Sequence, residues 1–188
     1  MQPKPGRGFT IVELMVTVAV LAVLVAIAVP SFNDFFDRHR VRGAAEEVVS
    51  VIANARAEAV KNDLDVNIAL LGAGDAWCLG ANAAAPATGG NPAGIPGACD
   101  CFVVAQCRIS GLRFAVDSTD FPAVAISAVP GEMIFDSNMG VLSPLQSHVI
   151  GLVSPTGKYD LQVRVNPLGQ AHACVPAGSP GISGIRAC

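Results

Sequence analysis

The sequence of 188 residues has few charged side chains. Only 14% of its residues are charged, and 15 acidic residues outnumber 12 basic ones. Strong non-specific binding to a phosphate backbone requires clustered Lys and Arg. The charge balance therefore argues against a general nucleic-acid-binding protein, although it is compatible with a local basic spot.

Recognisable enzyme motifs are also missing. The chain contains no G-x-S-x-G, no Walker loop, no H-E-x-x-H and no G-x-G-x-x-G. Its three histidines, His39, His148 and His172, are scattered along the chain. We therefore predict a protein that is not an enzyme and that holds no cofactor.

Four acidic residues of the second half could be read as catalytic carboxylates or as a calcium site. They lack EF-hand-like spacing, so we expect roles in turns and on the surface. These residues are Asp117, Asp120, Glu132 and Asp136.

Hydrophobic residues make up 52% of the chain, but they are unevenly spread. The segment from Phe9 to Val29 contains a single ionisable residue, Glu13. As a helix with a rise of about 1.5 Å per residue, it would be roughly 30 Å long, which is the thickness of a bilayer's hydrocarbon core. No second apolar run of this length follows, so we expect the remainder to be soluble.

The first eight residues, MQPKPGRG, are polar and basic and end directly against the apolar run. A secretory signal peptide is cleaved after its apolar region, at small residues. Here Val29-Pro30 follows the run instead, so we expect the apolar segment to be retained. Lys4 and Arg7 precede it, and the next basic residue is Arg38, which places the leader in the cytoplasm.

The sequence from Gly8 to Glu13, GFTIVE, resembles the class III signal of type IV pilins and type II secretion pseudopilins. That signal combines a glycine, an aromatic residue and a glutamate five positions after the cut. Pro30 lies where this family has a helix-kinking proline. The resemblance implies cleavage between Gly8 and Phe9 by a prepilin peptidase and N-methylation of Phe9.

Glu13 is costly inside a membrane, by about 2.5–3.5 kcal/mol on insertion scales. In the family, its partner is the N-terminal amine of a neighbouring subunit. The alternative is a glutamate near the membrane surface whose carboxylate reaches water.

Beyond Pro30, which favours a kink or short break, a helical pattern resumes and continues to about residue 61. Its apolar positions recur every three or four residues and form one stripe, which favours packing on a sheet over a free amphipathic helix. Asn62 is a candidate C-terminal cap. The stripe consists of Val41, Ala45, Val48, Ile52, Ala55 and Ala59.

The rest of the chain is rich in strand signals, so we predict an α+β fold with a mainly antiparallel sheet, the pilin fold. Residues 72–98 lack periodicity and are interpreted as a long loop. The predicted strands are residues 65–71, 102–105, 111–116, 124–129, 132–135, 148–153, 159–165 and 171–175.

Six cysteines follow the apolar segment: Cys78, Cys99, Cys101, Cys107, Cys174 and Cys188. An even number outside the cytoplasm indicates disulfides, with fifteen possible pairings. Cys99 and Cys101 are too close to pair comfortably, and Cys78 with Cys99 could close the 72–98 loop. The alternatives are a metal site at C-x-C-x5-C, which lacks zinc-like spacing, and free thiols.

Three short segments resemble the FimT/GspH family of minor pilins and pseudopilins. They are Arg56-x-Glu58-Ala59, Ile134-Phe135-Asp136 with Gly140, and Val163–Cys174. The Cys174–Cys188 tail also resembles the C-terminal disulfide loop of pilins. A major pilin fits this tail less well.

The resemblance implies a structural subunit in a tip or priming complex of a type IV pilus, or in a type II secretion pseudopilus. Expected partners are other pilins, a prepilin peptidase, the assembly platform and lipid of the bacterial inner membrane. Residues 1–8 would be the leader, 9–29 the transmembrane and filament-core helix, and 30–188 a periplasmic domain made of helix 30–61 and a β-rich head, 65–188.

Two other functions remain open. Some FimT-like proteins bind DNA through a tail motif with two arginines, whereas this tail offers only Arg186, so nucleic acid is an unlikely partner. A single-pass membrane protein unrelated to pili would keep residues 1–8.

Overall fold

The computed structural model describes residues 9–83, 99–131 and 133–188, and within them it leaves out the side chains of residues 28–31. By its internal contacts the chain divides into two units, Met1–Phe36 and Asp37–Cys188. Each unit is described by itself below.

A single long helix, α1, extends from Ile11 to Asn62. The backbone stays helical through residue 30, so the short break considered for Pro30 does not occur, whereas the kink stays a prediction. The helix ends as expected: the Asn62 side-chain amide donates to the carbonyl of Glu58 at 3.0 Å. Asp63 then takes a left-handed conformation with φ 52°, which terminates the helix.

In the part of the chain that the structure describes, ten strands follow the helix and form two four-stranded antiparallel sheets and a short ribbon. Their order is β5-β2-β1-β7 in the first sheet, β10-β9-β8-β6 in the second and β3-β4 in the ribbon. The strands are β1 Val66–Ala73, β2 Ala76–Ala83, β3 Arg108–Ile109, β4 Leu112–Arg113, β5 Ala115–Asp117, β6 Ala125–Ala128, β7 Met133–Phe135, β8 His148–Val153, β9 Asp160–Val165 and β10 Ala171–Cys174. The predicted α+β fold, a long helix followed by antiparallel sheets, is confirmed.

The predicted apolar stripe of α1 forms part of the core of the second unit. Val41, Ala45, Val48, Ile52, Ala55 and Ala59 are all fully buried, as expected for a helix that packs on sheet rather than standing free. Strand residues of both four-stranded sheets belong to the same core, among them Leu79 and Leu161. Alanines on the helix side let the two layers approach closely.

Strand β2 corrects the interpretation of residues 72–98 as a loop for its first part, whereas residues 84–98 lie outside the described residues. Residues 76–83 pair with β1 on one side and with β5 on the other, which makes β2 a central strand. Its Ala, Gly and Asn content gives it a weak strand propensity, and burial on both faces overrides that propensity. Trp77 lies in the main core, where its indole N–H donates to the carbonyl of Val124 at 2.8 Å.

The opposite face of β2 carries two disulfides. Cys78 pairs with Cys101 and Cys99 pairs with Cys107, with Cα atoms 5.8 and 5.2 Å apart. All four cysteines are buried together. As expected, Cys99 and Cys101 have different partners, but the suggested Cys78–Cys99 link is wrong because Cys101 lies opposite Cys78.

The segment 102–105 is not the strand that its Phe and Val residues predicted. It forms turns between the disulfide-bonded cysteines, with Val103 N donating to Asp100 O and Gln106 N to Val103 O. The short connection between Cys101 and Cys107 forces the chain to turn, so this constraint overrides β-propensity. The predicted strand 111–116 is likewise divided, because Phe114 leaves the ribbon and its N–H donates to Cys107 O.

Gly80 lies directly beneath the two disulfides. A Cβ at this position would be 2.9 Å from the Cβ of Cys101 and closer still to the sulfur of Cys107. We predict that Gly80→Ala lowers the free energy of unfolding by about 1–3 kcal/mol, the usual cost of overpacking a core. Urea unfolding of the full chain in detergent, followed by fluorescence of the single Trp77, measures the change.

Gly181→Ala is the matched control, because no atom lies within 4 Å of a Cβ there and the backbone is not left-handed. Its unfolding midpoint is expected to match that of the wild type. Equal stability of the two variants would contradict the packing assigned to Gly80.

Candidate functional site

The first unit presents an apolar helix surface on every side. All side chains from Phe9 to residue 27 are exposed, including the leucines, valines and isoleucines that fill this segment. Such a continuous apolar surface marks contact with lipid or with another protein. Among the described residues, α1 is the only helix long and apolar enough to cross a membrane.

Glu13 lies in the first turn of α1. The Glu13 N–H donates to the Thr10 hydroxyl at 3.2 Å, and Leu14 N donates to Thr10 O at 3.1 Å. Thr10 is therefore the N-cap, and T-x-x-E is the pattern of a capping box. The role of Thr10 was missed from the sequence, although this spacing could have revealed it.

This geometry gives Glu13 two compatible roles. A carboxylate in the first turn interacts favourably with the helix dipole, and it stays available to a cation outside the chain. Phe9, whose amine would be that cation after cleavage, is exposed. Gly8, the other predicted cleavage-site residue, lies outside the described residues.

The second unit fixes its helix to the β8–β9 turn through a buried carboxylate. Asp37 accepts hydrogen bonds from the Thr156 N–H, at 3.1 Å, and from the Thr156 hydroxyl. Nearby, the Arg38 and Lys158 cations lie 5.7 and 5.3 Å from the centre of the Tyr159 ring. This turn lies between the predicted strands 148–153 and 159–165, but the sequence gave no sign that Asp37 would hold it.

The three short segments that resemble the FimT/GspH family meet at one place in the second unit. The Arg56 guanidinium donates to Gly140 O at 2.7 Å. Gly169 has φ 77°, and a Cβ there would lie 2.7 Å from both Gly140 O and the Phe135 ring. The end of α1, the turn after β7 and the β9–β10 turn are thus in contact, which sequence spacing alone could not show.

Asp136 begins the turn at this junction. Its carboxylate accepts hydrogen bonds from the N–H groups of Asn138 and Met139, both at 3.0 Å. The hydrogen bond from Met139 has the largest effect, and together the two bonds hold the pKa of Asp136 below its ordinary value. Asp117 likewise accepts from Thr119 N at 2.9 Å, as expected for a turn residue.

The remaining acidic candidates show no assembled site. Asp120 is exposed, and Glu132 lies outside the described residues. Within the described ranges, no three His, Cys, Asp or Glu side chains are grouped so that they could hold a metal ion.

The tail is closed by the predicted Cys174–Cys188 disulfide, whose Cα atoms are 5.0 Å apart. Val175 N donates to Arg186 O, and the Arg42 guanidinium donates to Ser183 O at 3.0 Å, so the tail is tied to α1. Arg186, the candidate DNA contact, is exposed.

Comparisons with known proteins point to the N-terminal segment. Residues 4–29 match a protein-family model described as the prokaryotic N-terminal methylation motif. A fimbrial protein of Pseudomonas aeruginosa is 44% identical over 45 residues, which cover 24% of this chain and 29% of that protein. The N-terminal segment of this chain therefore carries the methylation motif and resembles type IV pilin-like proteins.

Two further relatives also match only a short part of this chain. A type IV major fimbrial protein FimA of Dichelobacter nodosus is 46% identical over 35 residues, covering 19% of this chain and 22% of that protein. Another FimA of that species is 36% identical over 56 residues, covering 30% and 32%. The chain thus spans less than a third of the length of these relatives. No solved structure matches it.

Arg56 is expected to stabilise the second unit, since it is half-buried and its guanidinium donates to the Gly140 carbonyl. We predict that Arg56→Ala lowers the free energy of unfolding by about 1.5–3 kcal/mol, the range for a hydrogen bond to a charged group. Arg40→Ala, at an exposed position of the same helix, is the control and should change stability by less than about 0.5 kcal/mol. Equal effects in urea unfolding would contradict the junction.

His148 makes the stability of the head depend on pH. Burial lowers the pKa of this imidazole, and its Nε2 atom has no hydrogen-bond partner. In the unfolded chain the pKa is about 6.5. As the pH falls through that value, the unfolded chain binds a proton that the folded chain does not, so the free energy of unfolding decreases.

We therefore predict that His148→Leu makes the free energy of unfolding less dependent on pH between about 7.5 and 5.5. His172→Leu is the control, because His172 is exposed. Urea titrations at several pH values give the slopes. A wild-type slope in His148→Leu would show that another group causes the effect.

Proposed function

We propose that this chain is a structural subunit of a type IV pilin-like filament, and that its N-terminal helix is its assembly element. The observation that carries the proposal is an outward-facing apolar helix that carries a carboxylate in its first turn and begins within a matched methylation motif. Residues 1–8 are the leader, which a prepilin peptidase removes, and Phe9 becomes the methylated N-terminus.

Before assembly, residues 9–29 span the bacterial inner membrane and residues 30–188 lie in the periplasm. Lys4 and Arg7 ahead of the apolar run, with none until Arg38, favour this orientation. Apolar burial does little to associate helices inside a bilayer. Extraction into a filament therefore requires an assembly platform in the membrane.

In the filament, Glu13 pairs with the amine of Phe9 of a neighbouring subunit. A charge between packed apolar helices is stable only when it is paired. The requirement for one partner at one position fixes the axial register of adjacent subunits, whereas the apolar side chains alone would tolerate several registers. Pro30, at the family's kink position, lies at the far end of this segment.

We assign the subunit to the minor pilins or pseudopilins of FimT/GspH type, acting in a pilus tip or priming complex or in a type II secretion pseudopilus. Support comes from the second unit, where the three FimT/GspH-like segments contact one another through Arg56, Gly140 and Gly169. The FimA relatives are named as major fimbrial proteins, and their similarity covers less than a third of this chain.

Binding of DNA is not part of the proposal. Arg186 is exposed, but it is the only basic residue between Cys174 and Cys188. The Arg42 guanidinium beside this tail is already engaged by Glu46, at 2.7 Å, and by Ser183.

Substitution of Glu13 distinguishes the ion pair from the capping box. Glutamine suits the N3 position of a capping box as well as glutamate does, but it lacks the charge. We predict that Glu13→Gln and Glu13→Ala both enter the membrane and lose their leader, yet fail to enter filaments. Immunoblots of sheared or secreted filaments, normalised to membrane protein, measure incorporation.

Thr10→Ala is the matched control, because it weakens the cap and keeps the charge. We expect it to be incorporated nearly as well as the wild type. Wild-type incorporation of Glu13→Gln would contradict the ion pair and leave capping as the role of Glu13.

A further inference from the structure

Three phenylalanines continue the apolar surface of α1 beyond residue 29. Phe32, Phe35 and Phe36 are 59%, 48% and 54% exposed. The rings of Phe35 and Phe36 meet edge to face with centroids 5.8 Å apart. Three exposed aromatic side chains within five residues form an apolar patch, and such a patch is typical of a surface that contacts lipid or protein.

The three rings share one side of the helix. Their positions i, i+3 and i+4 fall on one face, while Asn33 and Asp34 occupy positions turned away from it. The helix is therefore apolar on one side here, in contrast with residues 9–27, which are exposed and apolar all round. A one-sided apolar pattern is typical of a boundary between lipid and water.

The spacing along the helix also fits this boundary. Residues 9–29 span about 31 Å, close to the hydrocarbon thickness of about 30 Å. The Cα atoms of residues 32–36 then lie roughly 5–10 Å further on, at the outer side of the headgroup layer, which is about 5–7 Å thick. Helical side chains tilt toward the N-terminus, which directs the three rings back toward the acyl chains.

We propose that Phe32, Phe35 and Phe36 bind the phospholipid headgroup–acyl boundary, so that the membrane-bound part of the chain extends to Phe36. This inference rests on the proposed transmembrane placement of residues 9–29. Lipid is the occupant because the patch continues the membrane-spanning surface on the same helix. The rings fix how far the helix is inserted before assembly, in the way that aromatic belts do.

Depth-dependent quenching tests the proposal. The full chain with Phe35→Trp is reconstituted into vesicles of phosphatidylethanolamine and phosphatidylglycerol, with bromine placed either near the headgroup or at the end of the acyl chains. The native Trp77 is fully buried in the head, so the wild-type spectrum is subtracted as a constant background. Val20→Trp, in the middle of the apolar segment, is the control for insertion.

We expect Phe35→Trp to emit at shorter wavelength than tryptophan in water and to be quenched more by shallow bromines than by deep ones. Val20→Trp should show the opposite order. Phe36→Trp should repeat the shallow pattern, which guards against a local effect of one substitution.

Two other outcomes would contradict the lipid proposal and the transmembrane placement separately. If Val20→Trp is quenched by deep bromines while Phe35→Trp and Phe36→Trp emit as in water and escape both probes, the lipid proposal is wrong and the patch is left for another helix. If neither Phe35→Trp nor Val20→Trp is quenched, the transmembrane placement itself fails.

Discussion

The dominant constraint on this protein is an apolar helix surface that its own fold does not cover. Side chains from Phe9 to residue 27 face outward all round, so the first unit is stable only within lipid or among other helices. Moving the helix from lipid to a bundle of helices changes the burial of its apolar surface little, because lipid chains are as apolar as leucine side chains. In the proposed filament, a polar feature must therefore set the register of neighbouring subunits, and Glu13 is the ionisable group available in that segment.

Under the proposed function the head meets the opposite requirement, since it would have to stay folded outside the cytoplasm while its helix changes surroundings. Two disulfides clamp one face of β2, and a third closes the tail. Asp37 ties the β8–β9 turn to the helix, and Arg56 ties the turn after β7 to it. These links distribute the attachment over much of the length of the helix in this unit, so no single turn carries it alone.

The sequence predicted the helix, its end at Asn62 and most strands of the second sheet, because regular apolar spacing determines all of these. It failed at β2, where Ala and Gly lower strand propensity and burial on both faces compensates; the two-residue Gly74-Asp75 turn between alternating segments was an unused signal. It recognised Glu13 but not Asp37 or the contact of Arg56 with Gly140. Those contacts join residues 84 or more positions apart, which local pattern cannot reveal.

The proposed function requires that the leader be removed by cleavage of the bond between Gly8 and Phe9. Intact-mass analysis with N-terminal fragmentation of the chain purified from membranes tests this directly. The account predicts a mature protein that begins with N-methylated Phe9, lacks residues 1–8 and retains the three disulfides. A chain that keeps Met1–Gly8, or that is cut after the apolar segment near Pro30, would contradict it.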